Sequence, residues 1–207
     1  MIKIVKYSLV RIIEKYPLFH SIIYNNIDKL KFLFPHEKDY LGLKLIFPTT
    51  FDGDILDVGG NIGLSTIGFR SLGFKKNKIY IFEPNKRNCQ QKLSLLKKND
   101  KKISLMNFGL SSNNKTIKLY TPVYKKKIFH FLSSSNKNYI KNKLKYHYTR
   151  QHKNFNFLSQ KIKLKKFDSL SMNIRPKFIK IDVEGHDHEV LKGMIKSIKK
   201  NLPVLLI

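Results

Sequence analysis

Three short apolar runs punctuate the middle of the chain: Asp54–Val58, Lys78–Phe82 and Ile103–Phe108. The first two read as strands buried on both faces, because their apolar residues run together rather than alternate, and the last reads as a third strand. Between them lie helix-length amphipathic stretches, Leu64–Leu72 and Asn85–Lys98, with Asn85 placed after Pro84 as an N-cap. Phe178–Val183 repeats the strand pattern, a helix is predicted over Asp187–Lys199, and Leu202–Ile207 opens a further strand. This β-α-β-α-β rhythm predicts an α/β fold with a parallel sheet and helices on both faces.

The flanks follow other patterns. Residues 1–34 place Ile4, Leu9, Ile12, Ile13, Leu18, Ile22 and Ile23 among Lys and Tyr, which predicts amphipathic helices broken near Pro17. Tyr40–Phe47 alternates loosely and reads as a short strand or hairpin. Residues 121–160 are rich in Lys, Asn, Ser and aromatics with poor periodicity, so they read as an irregular insert. The predicted organisation is an N-terminal helical or lid segment at 1–50 and a main domain at 51–207 interrupted by that insert.

Two strand ends and one strand-to-helix turn carry the candidate chemistry. Ile55-Leu-Asp-Val-Gly-Gly-Asn-Ile-Gly63 runs from a strand through a glycine loop into a helix, where backbone can approach a nucleotide-like ligand and helix N–H groups are free. The dinucleotide fingerprint does not fit, since Asn61 stands at its second glycine. Glu83 ends the next strand, the position at which an acid accepts hydrogen bonds from ribose hydroxyls. Asp57 is read as orienting the loop or meeting a ligand amino group through water, and Asn61 as a polar contact. Asn107 and Phe108, closing the third strand, are read as a polar contact and an apolar wall beside a base.

The stretch Ile179-Lys-Ile-Asp-Val-Glu-Gly-His186 then delivers Asp182 and Glu184 to one side of a strand end, with His186 following. All three are candidates for accepting a proton or holding a hydroxyl, and Asp182 for meeting an ammonium group. Asp182, Glu184, His186, Asp187 and His188 also have metal-ligand chemistry. Their spacing crosses a turn, and no metal is expected.

The formal net charge is +27, with Lys far outnumbering Arg. Such an excess suits polyanions, membrane surfaces or acidic substrates. Arg-poor composition argues against specific nucleic-acid readout. Aromatics among the lysines (Phe129, Tyr139, Tyr146, Tyr148, Phe155) offer base stacking as a lesser alternative. Cys89 is the only cysteine, which excludes an internal disulfide and suits a reducing, cytoplasmic setting. No apolar run approaches the ~20 residues that span a bilayer, and no secretory leader is recognisable at the start. The basic amphipathic N-terminus allows peripheral membrane contact.

Four blocks in order carry a family resemblance: Asp57-Val-Gly-Gly-Asn-Ile-Gly63, Phe82-Glu-Pro-Asn85, Phe167-Asp-Ser-Leu170, and Lys180-Ile-Asp-Val-Glu-Gly-His186 followed by Glu189-Val-Leu-Lys-Gly193. Together they resemble the FkbM-type methyltransferases. The first block also resembles the opening motif of enzymes that use S-adenosylmethionine (SAM). The resemblance implies a Rossmann-like SAM-methyltransferase sheet and SAM as cofactor. It further implies O-methylation of a hydroxyl on a sugar, glycan or secondary metabolite. Against the family pattern, Gly60 stands where Ala is common, and His188 where an apolar residue is usual. The strands that complete such a sheet are expected to be missing beyond Ile207. An inactive SAM-binding remnant and a nucleic-acid methyltransferase are the alternatives. The latter is disfavoured because Asp182-Val-Glu-Gly replaces the Pro-Pro-aromatic segment resembling base-methylating enzymes.

Overall fold

The computed structural model describes Leu18 and residues 39–47, 51–148 and 151–207. In chain order the elements are α1 (Asp39–Ile46), β1 (Asp54–Val58), α2 (Leu64–Ser71), β2 (Ile79–Phe82) and α3 (Lys86–Asn88). A π turn, Cys89–Leu93, joins α3 to α4 (Ser94–Asn99), and β3 (Ile103–Met106) and β4 (Gly109–Leu110) follow. Then come β5 (Lys115–Tyr124), β6 (Lys127–Ile128), α5 (Lys137–His147), β7 (Asn156–Lys165), β8 (Pro176–Ile181), α6 (Asp187–Asn201) and β9 (Val204–Leu206). The chain divides into two compact units, one holding residues 31–117 and 161–207, the other holding 118–160 with the N-terminal stretch.

The larger unit is built on a five-stranded sheet in the order β3-β2-β1-β8-β9, and every pairing is parallel. Alternate residues divide between two cores, as strand geometry requires. Ile55, Ile79, Ile81, Ile103 and Phe178 face one side with Phe69 of α2, Leu72 just after it and Leu93 of the π turn. Leu56, Val58, Phe82, Ile179 and Ile181 face the other with Val190 and Met194 of α6. Helices therefore cover both faces, as the apolar runs predicted. Strand order reverses at β1, with β2 on one side and β8 on the other. Ligands of open α/β sheets bind beyond the carboxyl ends of the strands at such a reversal.

Three readings need correction. Tyr40–Phe47 is no strand, for α1 occupies it. Tyr40 and Leu43 are buried one turn apart and Phe47 packs against the same cluster, a helical spacing. Exposed Leu45, in step with Leu41 and Leu43, gave the false alternation. The third strand stops at Met106, so Asn107 and Phe108 lie in the turn before β4. Residues 121–160 are ordered into the end of β5, β6, α5 and the start of β7. Helix α5 is capped by the Asn136 side chain, which accepts from the N–H groups of Asn138 and Tyr139. Only Ile140 and Leu144 anchor α5, too few to show as periodicity. They join Tyr124, Phe129, Leu132, Tyr148 and Phe155 in a separate small core. The predicted helices of residues 1–34 lie outside the described residues apart from Leu18.

Candidate active site

The glycine loop rests on the ends of the strands beside it. Gly59 N–H donates to Phe82 O at 2.9 Å, and Asp182 N–H donates to Val58 O at 3.1 Å. The carbonyl ends of β1, β2 and β8 are thereby joined into one ledge. Gly59, Asn61 and Gly63 all take left-handed backbone, with φ of 82°, 49° and 88°. Helix α2 starts directly after Gly63 and has no side-chain cap. Its first N–H groups are therefore without the side-chain acceptor that ordinarily closes a helix start.

Beneath the loop lies a buried charge network. Asp57 stands in register with Lys180 across the β1–β8 pair. Asp57 is wholly buried and Lys180 is 4 % exposed. The Lys180 ammonium lies 3.9 Å from Asp57 Oδ1 and 3.2 Å from Asp182 Oδ2. Thr66 Oγ1, in the first turn of α2, donates to Asp57 Oδ2 at 2.7 Å. Asp57 thus ties strand, neighbouring strand and helix together. This placement fits the loop-orienting role read for it.

Glu83 has a similar position on the other side. Its Oε2 accepts from Asn61 N–H at 2.8 Å and its Oε1 from Asn85 N–H at 2.7 Å. Burial raises its pKa to about 7. The two N–H groups pull against that rise, the Asp57 charge adds to it, and Lys180 opposes it. Each carboxylate oxygen retains a second acceptor direction for a hydroxyl. A carboxyl whose folded pKa lies above its unfolded value of 4.5 contributes stability that is fully present below that value. The contribution is lost as pH rises through about 7. It amounts to roughly 3 kcal/mol. Glu83→Gln should be destabilising, because its amide turns a donor toward one of two N–H groups. The deficit relative to wild type should be largest near pH 5 and shrink above pH 7 in paired urea melts. A deficit independent of pH would show that Glu83 does not titrate in that window.

The remaining predicted residues are placed as follows. Asn61 Oδ1 accepts from Asn88 Nδ2 at 3.0 Å, so the loop is pinned to α3. Asn107 Nδ2 donates to Glu83 O and to Cys89 Sγ, both at 3.1 Å. Phe108 meets the ring of Phe82 edge-on at 5.7 Å, with the Lys165 ammonium 4.5 Å from its centroid. Cys89 is buried and its thiol is pushed up to about 12 by burial, which makes it inert. Asp182 has the most open carboxylate of the ledge, its side chain 56 % exposed. Glu184 and Gly185 form a left-handed turn after it, with φ of 53° and 88°.

His186, by contrast, opens α6. Its Nε2 lies 3.0 Å from Ser111 Oγ, in the segment after β4. Burial and then the Lys115 charge hold its pKa below the usual value. Ser112 Oγ donates to Glu189, whose carboxyl is held down to about 2 by that bond and by Lys192. His186 and Glu189 therefore clamp the start of α6 to the β4 segment. Asp187 Oδ1 accepts from Val183 N–H at 3.2 Å, an internal turn bond. No group of three His, Cys, Asp or Glu side chains among the described residues is close enough to hold a metal.

Lys180, Thr66 and Asn88 were not singled out in the sequence. Lys180 had a visible signal: a lone lysine inside the apolar strand Phe178–Ile181, which must have a buried partner. A cavity of about 530 Å³ opens at the opposite edge of the sheet, lined by Asp54, Asn77 and Arg175 among others, where β1 begins. It lies away from the glycine loop, which follows the end of β1.

The site residues fit SAM in chemical kind. Glu83 supplies a hydroxyl acceptor, the uncapped α2 start supplies N–H donors for a carboxylate, and Asp182 supplies an open anion for an ammonium. Among curated proteins, nothing matches this chain. Among solved structures, it is similar to the crystal structure of methyltransferase FkbM from Methylobacillus flagellatus KT. The likeness has 19% sequence identity and a TM-score of 0.47, and covers 74% of this chain and 32% of that one. This chain thus spans about a third of that protein's length. The family model for the methyltransferase FkbM domain matches residues 57–207, a stretch that includes the glycine loop, Glu83 and the Asp182 turn. The chain belongs to the FkbM methyltransferase domain family.

Proposed function

We propose that the protein is a SAM-dependent methyltransferase that transfers a methyl group to a hydroxyl of a sugar, glycan or secondary metabolite. The observation that carries this reading is the joined ledge of loop, Glu83 and Asp182 at the sheet's reversal point, in a chain of this family. When bound, SAM supplies an electrophilic methyl group on a sulfonium. Glu83 would receive the ribose hydroxyls, and the backbone of Gly59, Asn61 and Gly63 would hold the amino-acid portion. Asp57 holds that loop from below through Thr66 and Lys180. Phe108 and Asn107 would hold the adenine.

Asp182, open to solvent and steadied by Lys180, would meet the ligand ammonium or accept the acceptor hydroxyl's proton. Glu184 and His186 are the other proton acceptors within this turn. His186 is already bonded to Ser111, which favours Asp182. Holding hydroxyl and methyl in line supplies much of the rate.

Titration calorimetry with SAM and with its demethylated product should give saturable binding. Absence of heat at millimolar ligand, from a sample shown to be folded, overturns the proposal. Asp182→Asn should lower turnover of an accepted hydroxyl substrate roughly a hundredfold, with product binding changed only a few-fold. Unchanged turnover would remove Asp182 from the chemistry.

A further inference from the structure

We propose that the smaller unit docks on an anionic phospholipid surface through the Lys125–Lys127 hairpin tip and the outer face of α5. No Asp or Glu occurs between Asp100 and Asp168, a stretch that contains lysines throughout. Residues 118–160 therefore carry basic charge with no acid of their own. Two features of this unit place that charge in the open.

The first is the hairpin tip. Tyr124 pairs with Lys127, leaving Lys125 and Lys126 as a two-residue turn. Both are left-handed, with φ of 44° and 66°. Consecutive positive φ values define a turn that Asn-Gly fills without strain. Lysine pays for that conformation and adds repulsion from a third neighbour, Lys127. All three side chains are exposed. A turn that retains strained, mutually repelling cations is accounted for by a ligand that binds them together.

The second is α5. Its inner face is Ile140 and Leu144. Lys141 and Lys145 are exposed, and beside them stands Tyr146, 81% exposed. An outward Tyr among lysines matches the headgroup layer, where amphipathic rings and ammonium groups both find partners.

The same core argues against a nucleic-acid partner. Phe129, Tyr148 and Phe155 are 0%, 1% and 7% exposed, packed with Tyr124 in the unit's interior. Lys143 lies 5.0 Å from the Tyr139 ring centre. Of the five aromatics that could stack bases, only Tyr146 is openly presented. Lysines recognise phosphates as point charges, not by bidentate pairing. Among the described residues no helix is long and apolar enough to cross a membrane, so the contact is a peripheral one.

The test is sedimentation of the full chain with vesicles of phosphatidylcholine alone, and with about a third replaced by phosphatidylglycerol. Binding should require the anionic lipid and weaken steeply with salt. Lys125→Asn with Lys126→Gly should cut partitioning more than tenfold while raising the melting temperature, because it removes two charges and relieves the turn. Opposite signs in these two readouts exclude unfolding as the cause. Tyr146→Ser should weaken binding further at unchanged fold. Equal binding to neutral vesicles overturns the proposal, as does full partitioning by the turn variant. So does tighter binding of a short RNA at the same phosphate concentration and salt.

Discussion

Replacing Lys180 by methionine should destabilise the protein by about 3–5 kcal/mol, the usual result of breaking a buried ion pair from one side. The methionine fills the space of the lysine stem, so the loss is electrostatic. Asp57 is wholly buried, and the change leaves its carboxylate with Thr66 but without the ammonium 3.9 Å away. Glu83 suffers as well, since Lys180 adds to the two N–H groups that lower its pKa against burial and the Asp57 charge. Its carboxyl should move further above about 7 in the variant. Asp57→Asn with Lys180→Met should recover much of the loss, because the second change removes the stranded charge. Urea unfolding of both single variants and the double variant closes the cycle. A deficit under about 1 kcal/mol for Lys180→Met, or a double variant equal to the sum of the singles, would show that the pair is not coupled.

This pair also marks where reading the sequence stops. The strands β1, β2 and β8 were legible because burial on both faces makes them continuous apolar runs. Glu83 and Asp182 were legible because they end such runs. Asp57 and Lys180 stand far apart in the chain, and only the β1–β8 register makes them neighbours. The bond from Asn61 to Asn88 is of the same kind: both residues are visible, but their meeting depends on how α3 packs. His186 was read from spacing alone as part of one acidic turn. The structure pairs it with Ser111, just after β4, which no local pattern connects to α6. Segment 121–160 failed for a different reason. Its small core draws single aromatics from several short elements, so no element shows a period.

Gly59→Ala should be the most damaging single change in the loop, at about 3–5 kcal/mol, the left-handed and overpacking costs together. With φ of 82°, residue 59 occupies backbone space that a side chain disfavours. The added carbon would also lie 2.0 Å from the carbonyl oxygen of Asp182 and 3.0 Å from Val183 Cγ1. The nearer obstacle is backbone and cannot rotate away. It is held by the Asp182 N–H bond to Val58, so relief requires parting β1 from β8 where the ledge is joined. The loss of stability should therefore come with weaker ligand binding at the same edge. Gly42→Ala supplies the control. Gly42 lies within α1, and an added carbon there meets nothing within 4 Å. That change should stabilise by about 0.5–1 kcal/mol, because alanine favours the helix. Thermal and urea melts of the two variants should move in opposite directions. A Gly59→Ala protein as stable as wild type would mean that the loop does not sit against β8 as described.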